Sequence, residues 1–152
     1  MANKDLIIDP YKIHLQSVKV ISGSLKIDPE VDQSKIVEFK TGYEVSHGIA
    51  PETNSVRFIF TVKFEAINEQ RETIPVSAEY TMEFIFMVDN LDSFIEVKQE
   101  RINFDTNMAA TLVGILYSTA RGIILSRTQG SLMDGVILPV MSPKDLLVSD
   151  TK

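Results

Sequence analysis

The stretch Asn107–Arg127, NMAATLVGILYSTARGIILSR, reads as a helix with no properly wet side. Asp105 and Thr106 stand just before it, and either side chain can cap the free N–H groups of a first turn. Gln129-Gly130 follows it, and glycine accepts the left-handed conformation that closes a helix. One stripe is Ala109, Leu112, Val113, Leu116, Ala120, Ile123 and Ile124, at three- and four-residue spacing. The opposite side carries Thr111, Gly114, Ser118 and Gly122, which are small rather than charged, and Met108, Ile115 and Leu125 fill in between. A surface helix on a monomer should have a charged back, and this one offers only Arg121 and Arg127. Small residues at four-residue spacing let another backbone come close. Two arrangements meet the pattern: burial on both sides, with Gly114, Ser118 and Gly122 against a second subunit, or a central helix inside a monomer.

Outward from the helix, 152 residues make one domain (1–152), long enough to bury about 70% of its unfolded surface. Apolar residues are 44% and charged residues 24%, an ordinary globular balance. A net charge of −6 argues against nucleic acid as a partner. The chain has no cysteine, which excludes structural disulfides, thiolate zinc sites and thiol nucleophiles, and fits a reducing cytoplasm. The N-terminal apolar run, Leu6-Ile7-Ile8, is too short for a signal-peptide core. Met108–Ala120 is uncharged but shorter than the roughly twenty apolar residues a membrane span needs, so a soluble protein without membrane insertion is expected.

Four long segments precede the helix. In Ser55–Ile67, Val56, Phe58, Phe60, Val62, Phe64 and Ala66 point one way, and Arg57, Thr61, Lys63 and Glu65 the other, with Ile59 the exception. Period two over this length is a half-buried antiparallel strand. Asn68–Glu72 is a polar turn, after which Val76, Ala78, Tyr80, Met82, Phe84, Phe86 and Val88 alternate with Ser77, Glu79, Thr81 and Glu83, so the two runs predict a hairpin. Ile36–Ile49 gives a further strand with Val37, Phe39, Tyr43 and Val45 on one face. The first strand runs from about Tyr11 to Leu25. Ile13 and Leu15 share one parity and Val18 and Val20 the other, and that slip at Gln16-Ser17 predicts a β-bulge.

Asn90–Phe104 reads as a long connection rich in apolar residues: Leu91, Phe94, Ile95, Val97, Ile102 and Phe104. Such a segment either binds something or caps the core. After the helix, Ser131–Pro143 reads as an extended arm with Val136, Ile137, Leu138 and Val140, and Ser142-Pro143-Lys144-Asp145 as the start of a short helix. Strands followed by helices indicate α+β architecture: a four-stranded antiparallel sheet followed by one long helix and a short C-terminal helix.

Catalytic signatures are missing. His14 and His47 are the only histidines, and neither has Asp or Glu at ligand spacing, so no metal is expected. No nucleophile elbow, phosphate loop or dinucleotide fingerprint is present, so neither enzyme activity nor a cofactor is expected. Glu79 and Glu83 lie on the polar face of a strand and read as solvated surface. Asp105 could serve as a catalytic carboxylate, but capping explains it with fewer assumptions. The positive signal is apolar surface, which implies binding.

The element order, the length and the C-terminal third resemble the SecB protein-export chaperones. The resemblance is carried by Leu112–Leu146: a helix with Tyr117 followed by Ala120-Arg121, then Ser126-Arg127, an apolar arm, Leu138-Pro139-Val140, and Asp145-Leu146 in the terminal helix. The resemblance implies a SecB-like fold and an ATP-independent holdase that wraps unfolded polypeptide clients in apolar grooves. It implies a homotetramer, a dimer of dimers, with first strands paired across each dimer and long helices sandwiched between dimers. The long segment after the fourth strand would help to line the grooves. Client-binding candidates are therefore Phe39, Tyr43, Leu91, Phe94, Ile95 and Phe104, and the oligomer interface would hold Gly114, Ser118 and Gly122.

The chain also departs from that family. The first-strand acids that help to dock the SecA motor are absent from Val20-Ile21-Ser22-Gly23-Ser24, although Glu79 matches an acidic position on the last strand. The acidic tail is reduced to Ser149-Asp150-Thr151-Lys152, and the Phe-Pro after the long helix is replaced by Ser131-Leu132-Met133-Asp134. Client holding carries over better than motor docking, and a SecB-like chaperone serving an antitoxin is an alternative to one serving protein export. The other competing class is a thioesterase of hot-dog type, whose sheet wraps a long helix placed between early strands.

Overall fold

Four strands alternate strictly enough to pair, and the structure, a computed structural model that describes residues 6–131 and 138–149, shows how. They are β1 (Ile13–Ile27), β2 (Glu38–Ala50), β3 (Ser55–Ile67) and β4 (Thr73–Val88), all antiparallel in the order β1-β4-β3-β2. The β3–β4 hairpin is the centre of the sheet. Its paired inner residues, Phe58 with Phe84, Phe60 with Met82 and Val56 with Phe86, are enclosed completely, as the period of two requires. At the intervening turn the Asn68 side chain accepts the Glu72 N–H at 2.9 Å, and Arg71 takes a left-handed φ of 61°.

The parity slip in β1 is a bulge between Leu15 and Ser17. It returns Ile13, Leu15, Val18 and Val20 to one face, opposite Val88, Phe86, Phe84 and Met82. A second irregularity between Val20 and Ser22 brings Leu25 and Ile27, of the opposite parity, against Ala78 and Val76, and a third falls where Glu65 and Ala66 pair with Ser77 and Ile74, so that Pro75 and Val76 of β4 have no partner in β3.

Asn90–Phe104 is more ordered than a long loop. It holds a 3-10 turn (Leu91–Phe94) and a small hairpin of β5 (Ile95–Lys98) and β6 (Arg101–Phe104). The turn of this hairpin is Gln99-Glu100, with φ of 49° and 64°. Both residues are left-handed, as a two-residue hairpin turn demands, but the usual glycine is absent and with it the sequence cue.

The long helix, α1 (Thr106–Thr128), begins where its cap is: the Asp105 carboxylate accepts the Met108 N–H at 2.9 Å. Gly130 follows with φ 77°. The buried stripe comprises Met108, Ala109, Leu112, Val113, Leu116, Tyr117, Ala120 and Ile124, which join the inner face of the sheet in one core. With Arg121 included the helix is, by length and composition alone, long and apolar enough to cross a membrane, a property that the uncharged stretch by itself understates. Packing of this stripe on the sheet buries 44% of that apolar window.

The second helix, α2 (Pro143–Ser149), packs against α1 and β2, anchored by buried Leu146, while Leu138 of the preceding arm is also buried. The arm residues 132–137, Val136 and Ile137 among them, and the tail 150–152 lie outside the described residues. The architecture is therefore α+β, a four-stranded antiparallel sheet with one long and one short C-terminal helix, with the added β5–β6 hairpin.

Candidate functional site

Phe39 and Tyr43 stand on the inner face of β2, opposite Ala66 and Val62, and both are half-buried. β2 is an edge strand, so the core reaches it from one side only. Leu91 and Phe94 go elsewhere: at 0% and 3% exposure they belong to the core, which is the capping role for this segment. Neither side chain is a surface as the chain stands. Ile95 and Phe104 face each other across the β5–β6 hairpin, half-buried, and with Leu6 and Phe94 they line an open cleft of about 340 Å³ at its base. Further along the same face, Val97 and Ile102 are paired and exposed, at 68% and 42%. The hairpin thus carries exposed apolar side chains, Val97 and Ile102, beyond the partly buried Ile95 and Phe104.

His47 connects the two groups, a role its spacing did not reveal. Two residues beyond Val45, it shares the inner face of β2. Its ring lies 5.8 Å from Phe58 and 6.3 Å from Phe104. Phe39, Tyr43, His47 and Phe104 therefore follow one another along a single partly open face, from the far end of β2 to the hairpin. Leu6 and His47 carry no motif and are brought here by long-range packing, whereas Val97 and Ile102 meet through the local hairpin.

Tyr43 also makes an aromatic group with Phe60, at 6.2 Å, and with Tyr117 of α1, at 6.1 Å. The Tyr117 hydroxyl donates to the Pro139 carbonyl of the arm. Burial, and then the neighbouring Tyr43 hydroxyl, raise the Tyr117 pKa above the ordinary phenol value of 10.0. Arg121 Nε is buried without a hydrogen-bond partner among the described residues.

The small-residue face of α1 is divided. A Cβ at Gly114 would meet Pro143 of α2 at 3.4 Å, so the chain's own C-terminal helix covers that position. Ser118 and Gly122 are exposed, and a Cβ at Gly122 would meet nothing within 4 Å. Beside them runs an open groove of about 620 Å³ between β1 and α1, lined by Val18, Val20, Thr119, Ile123 and Arg127.

On the outer face of the sheet two acids of β4 stand beside basic side chains. Glu83 takes Arg57 at 2.7 Å, and Glu79 lies 3.9 Å from Lys63. His14, which lacks an acid at short spacing, meets Asp89 at 3.2 Å across the β1–β4 pair. Among the described residues no group of three or more His, Cys, Asp or Glu could hold a metal ion.

No protein-family model and no curated protein sequence matches the chain. Solved structures do. A SecB-like chaperone of Mycobacterium tuberculosis, in complex with a ChAD peptide from the HigA1 antitoxin, superposes with a TM-score of 0.64 over 87% of this chain and 92% of that one, at 12% identity. A protein of unknown function from Streptococcus agalactiae superposes with a TM-score of 0.40 over 84% of this chain and 97% of that one, at 13% identity. The fold of this chain is SecB-like, with the long helix after the four strands rather than between early ones. That order is not the one the hot-dog reading required.

Proposed function

We propose that this chain is an ATP-independent holdase of SecB-like type. The observation that carries the reading is the partly open apolar face from Phe39 and Tyr43 through His47 to Phe104, Ile95, Val97 and Ile102, on a fold shared with a chaperone that binds a peptide. Apolar and aromatic surface accepts many sequences because burial is not directional. A client that binds there in its unfolded state is withdrawn from aggregation by mass action, and no nucleotide, metal or cofactor is needed. Leu91 and Phe94 support this face from beneath rather than touching the client.

The partner reading follows the charges. β1 lacks acids at Val20–Ser24, and Glu79 and Glu83 stand beside Lys63 and Arg57. That pattern favours a dedicated client, such as an antitoxin segment, over delivery to the SecA motor. The exposed Ser118, Gly122 and Leu125 and the groove beside them support assembly through α1, with a homotetramer in the cytoplasm as the proposed state. The test is suppression of aggregation of a chemically unfolded client, measured beside the mass of the protein in solution. Suppression at near-stoichiometric ratios without ATP is the expected result. A client that aggregates at the same rate with and without this protein would overturn the reading.

A further inference from the structure

Leu6 lines the cleft at the base of the β5–β6 hairpin, although β1 does not begin until Ile13. The connection between them is fixed by hydrogen bonds. The Asp9 carboxylate accepts the Tyr11 N–H at 3.0 Å, and the Asp9 carbonyl accepts the Lys12 N–H at 3.0 Å, so the chain turns at Pro10–Lys12. The Lys12 carbonyl then accepts the Asp89 N–H at 2.9 Å, next to the Ile13–Val88 pair. Residues 6–9 therefore leave the sheet at the end where β4 runs into the 3-10 turn and the hairpin. That shared exit carries Leu6 to the cleft of Phe94, Ile95 and Phe104.

Exposure alternates along this segment. Leu6 is 40% exposed at the cleft, Ile7 is 82% exposed, and Ile8 packs against the core. Alternation is how an extended chain presents its side chains, one to a surface and the next to water. Asp9 continues it, with φ −101° and ψ 111°. Residues 6–8 are thus a short extended apolar run laid on the face that the holdase reading gives to clients. The cleft holds about 340 Å³ of open space beside Leu6. A client side chain that enters it claims the same Ile95 and Phe104.

We propose that residues 6–8 are a tethered internal competitor for this cleft, with Leu6 seated at its wall until an apolar client segment displaces it. This rests on the holdase reading given above. It makes client affinity a difference between the client's contacts and those of Leu6. The tether sets the effective concentration of Leu6 on the order of millimolar, while one partly covered leucine holds only weakly. The cleft is shielded when no client is present, which limits self-association through apolar surface. A protein whose binding-competent form is a fraction of the population binds with its affinity reduced by that fraction.

The experiment measures binding of a short fluorescent peptide rich in Leu and Phe to the wild type, Leu6→Ser and Ile7→Ser, with thermal unfolding beside it. Leu6→Ser removes the competitor, and Ile7→Ser alters the neighbour that points to water. The expected result is peptide affinity about three- to tenfold tighter in Leu6→Ser and unchanged in Ile7→Ser. Weaker affinity in Leu6→Ser overturns the proposal by making Leu6 part of the client's own site. Equal tightening in both variants overturns it as well. A second measurement does not depend on Leu6→Ser: the chain has no cysteine, so Ile7→Cys carries a dye at a unique thiol. Saturating unlabelled peptide should lower the dye's anisotropy as the segment is released, and a rise or no change overturns the proposal. Peptide that binds wild type and Leu6→Ser alike removes the competitor and leaves the holdase reading standing. Peptide that binds none of the proteins overturns the holdase reading and the competitor with it.

Discussion

Phe94→Ala separates core from binding surface in the segment after β4. Phe94 is 3% exposed and clusters with buried Leu91, and its carbonyl accepts the Asp105 N–H at 2.8 Å, where the hairpin closes onto the cap of α1. Truncating an enclosed phenylalanine removes its transfer free energy and leaves a void, at a cost of about 3–5 kcal/mol. For a chain of this size each kcal/mol is worth about 2–4 °C, so the melting temperature should fall by about 6–20 °C. Val97→Ser, at a side chain 68% exposed, should change stability by less than about 0.5 kcal/mol. The assay is thermal unfolding at one fixed protein concentration, because assembly would otherwise move the midpoint. Client affinity measured on the same samples should weaken in Val97→Ser. A Phe94→Ala protein that melts within about 1 °C of wild type would refute the placement of this side chain in the core.

Ser118→Leu and Gly122→Leu should break assembly without unfolding the chain, since neither position is covered within it; overpacking a subunit contact costs about 1–3 kcal/mol, and light scattering should show a smaller species. Gly114→Leu should lower thermal stability as well, because Pro143 lies 3.4 Å from where its Cβ would be. Asp105→Ala removes the cap of α1 and should cost about 1 kcal/mol in chemical unfolding, and neither it nor the wild type should turn over an acyl thioester; turnover that vanishes with Asp105 would restore the enzyme reading. The folded pKa of Tyr117 is raised, so its contribution to stability is complete below pH 10 and declines as pH rises above that value. Tyr117→Phe should therefore flatten the alkaline arm of the stability profile, and an unchanged arm would count against the assignment.

The partly offset charge of the outer face bears on partner choice in a way composition does not. A net charge of −6 would by itself suit a basic partner. Glu83 is held by Arg57 at 2.7 Å, while Glu79 and Lys63 form a looser exposed pair at 3.9 Å, so the field of the β4 acids is partly offset. Lys63→Ser would remove the positive charge beside the already exposed Glu79 and offers a route to test motor docking directly.

What the sequence determined by itself is what depends on neighbours along the chain. Alternation in Ser55–Ile67 and Val76–Val88 placed two strands, because a side-chain period of two leaves one face to bury. The parity slip at Gln16-Ser17 marked a bulge, and Asp105 and Gly130 marked the ends of the helix, since caps act within a turn. The sheet order, the Gln99-Glu100 hairpin without glycine and the inward turn of Leu91 and Phe94 were decided only by tertiary structure. Each depends on which distant surface has room for an apolar side chain, and an apolar residue reads the same whether it covers a core or waits for a client. The same holds for the site. That Phe39 and Tyr43 share a strand face was legible from the alternation. His47 beside Phe104, and Tyr43 beside Tyr117, join residues too far apart in the chain for any local pattern to connect them.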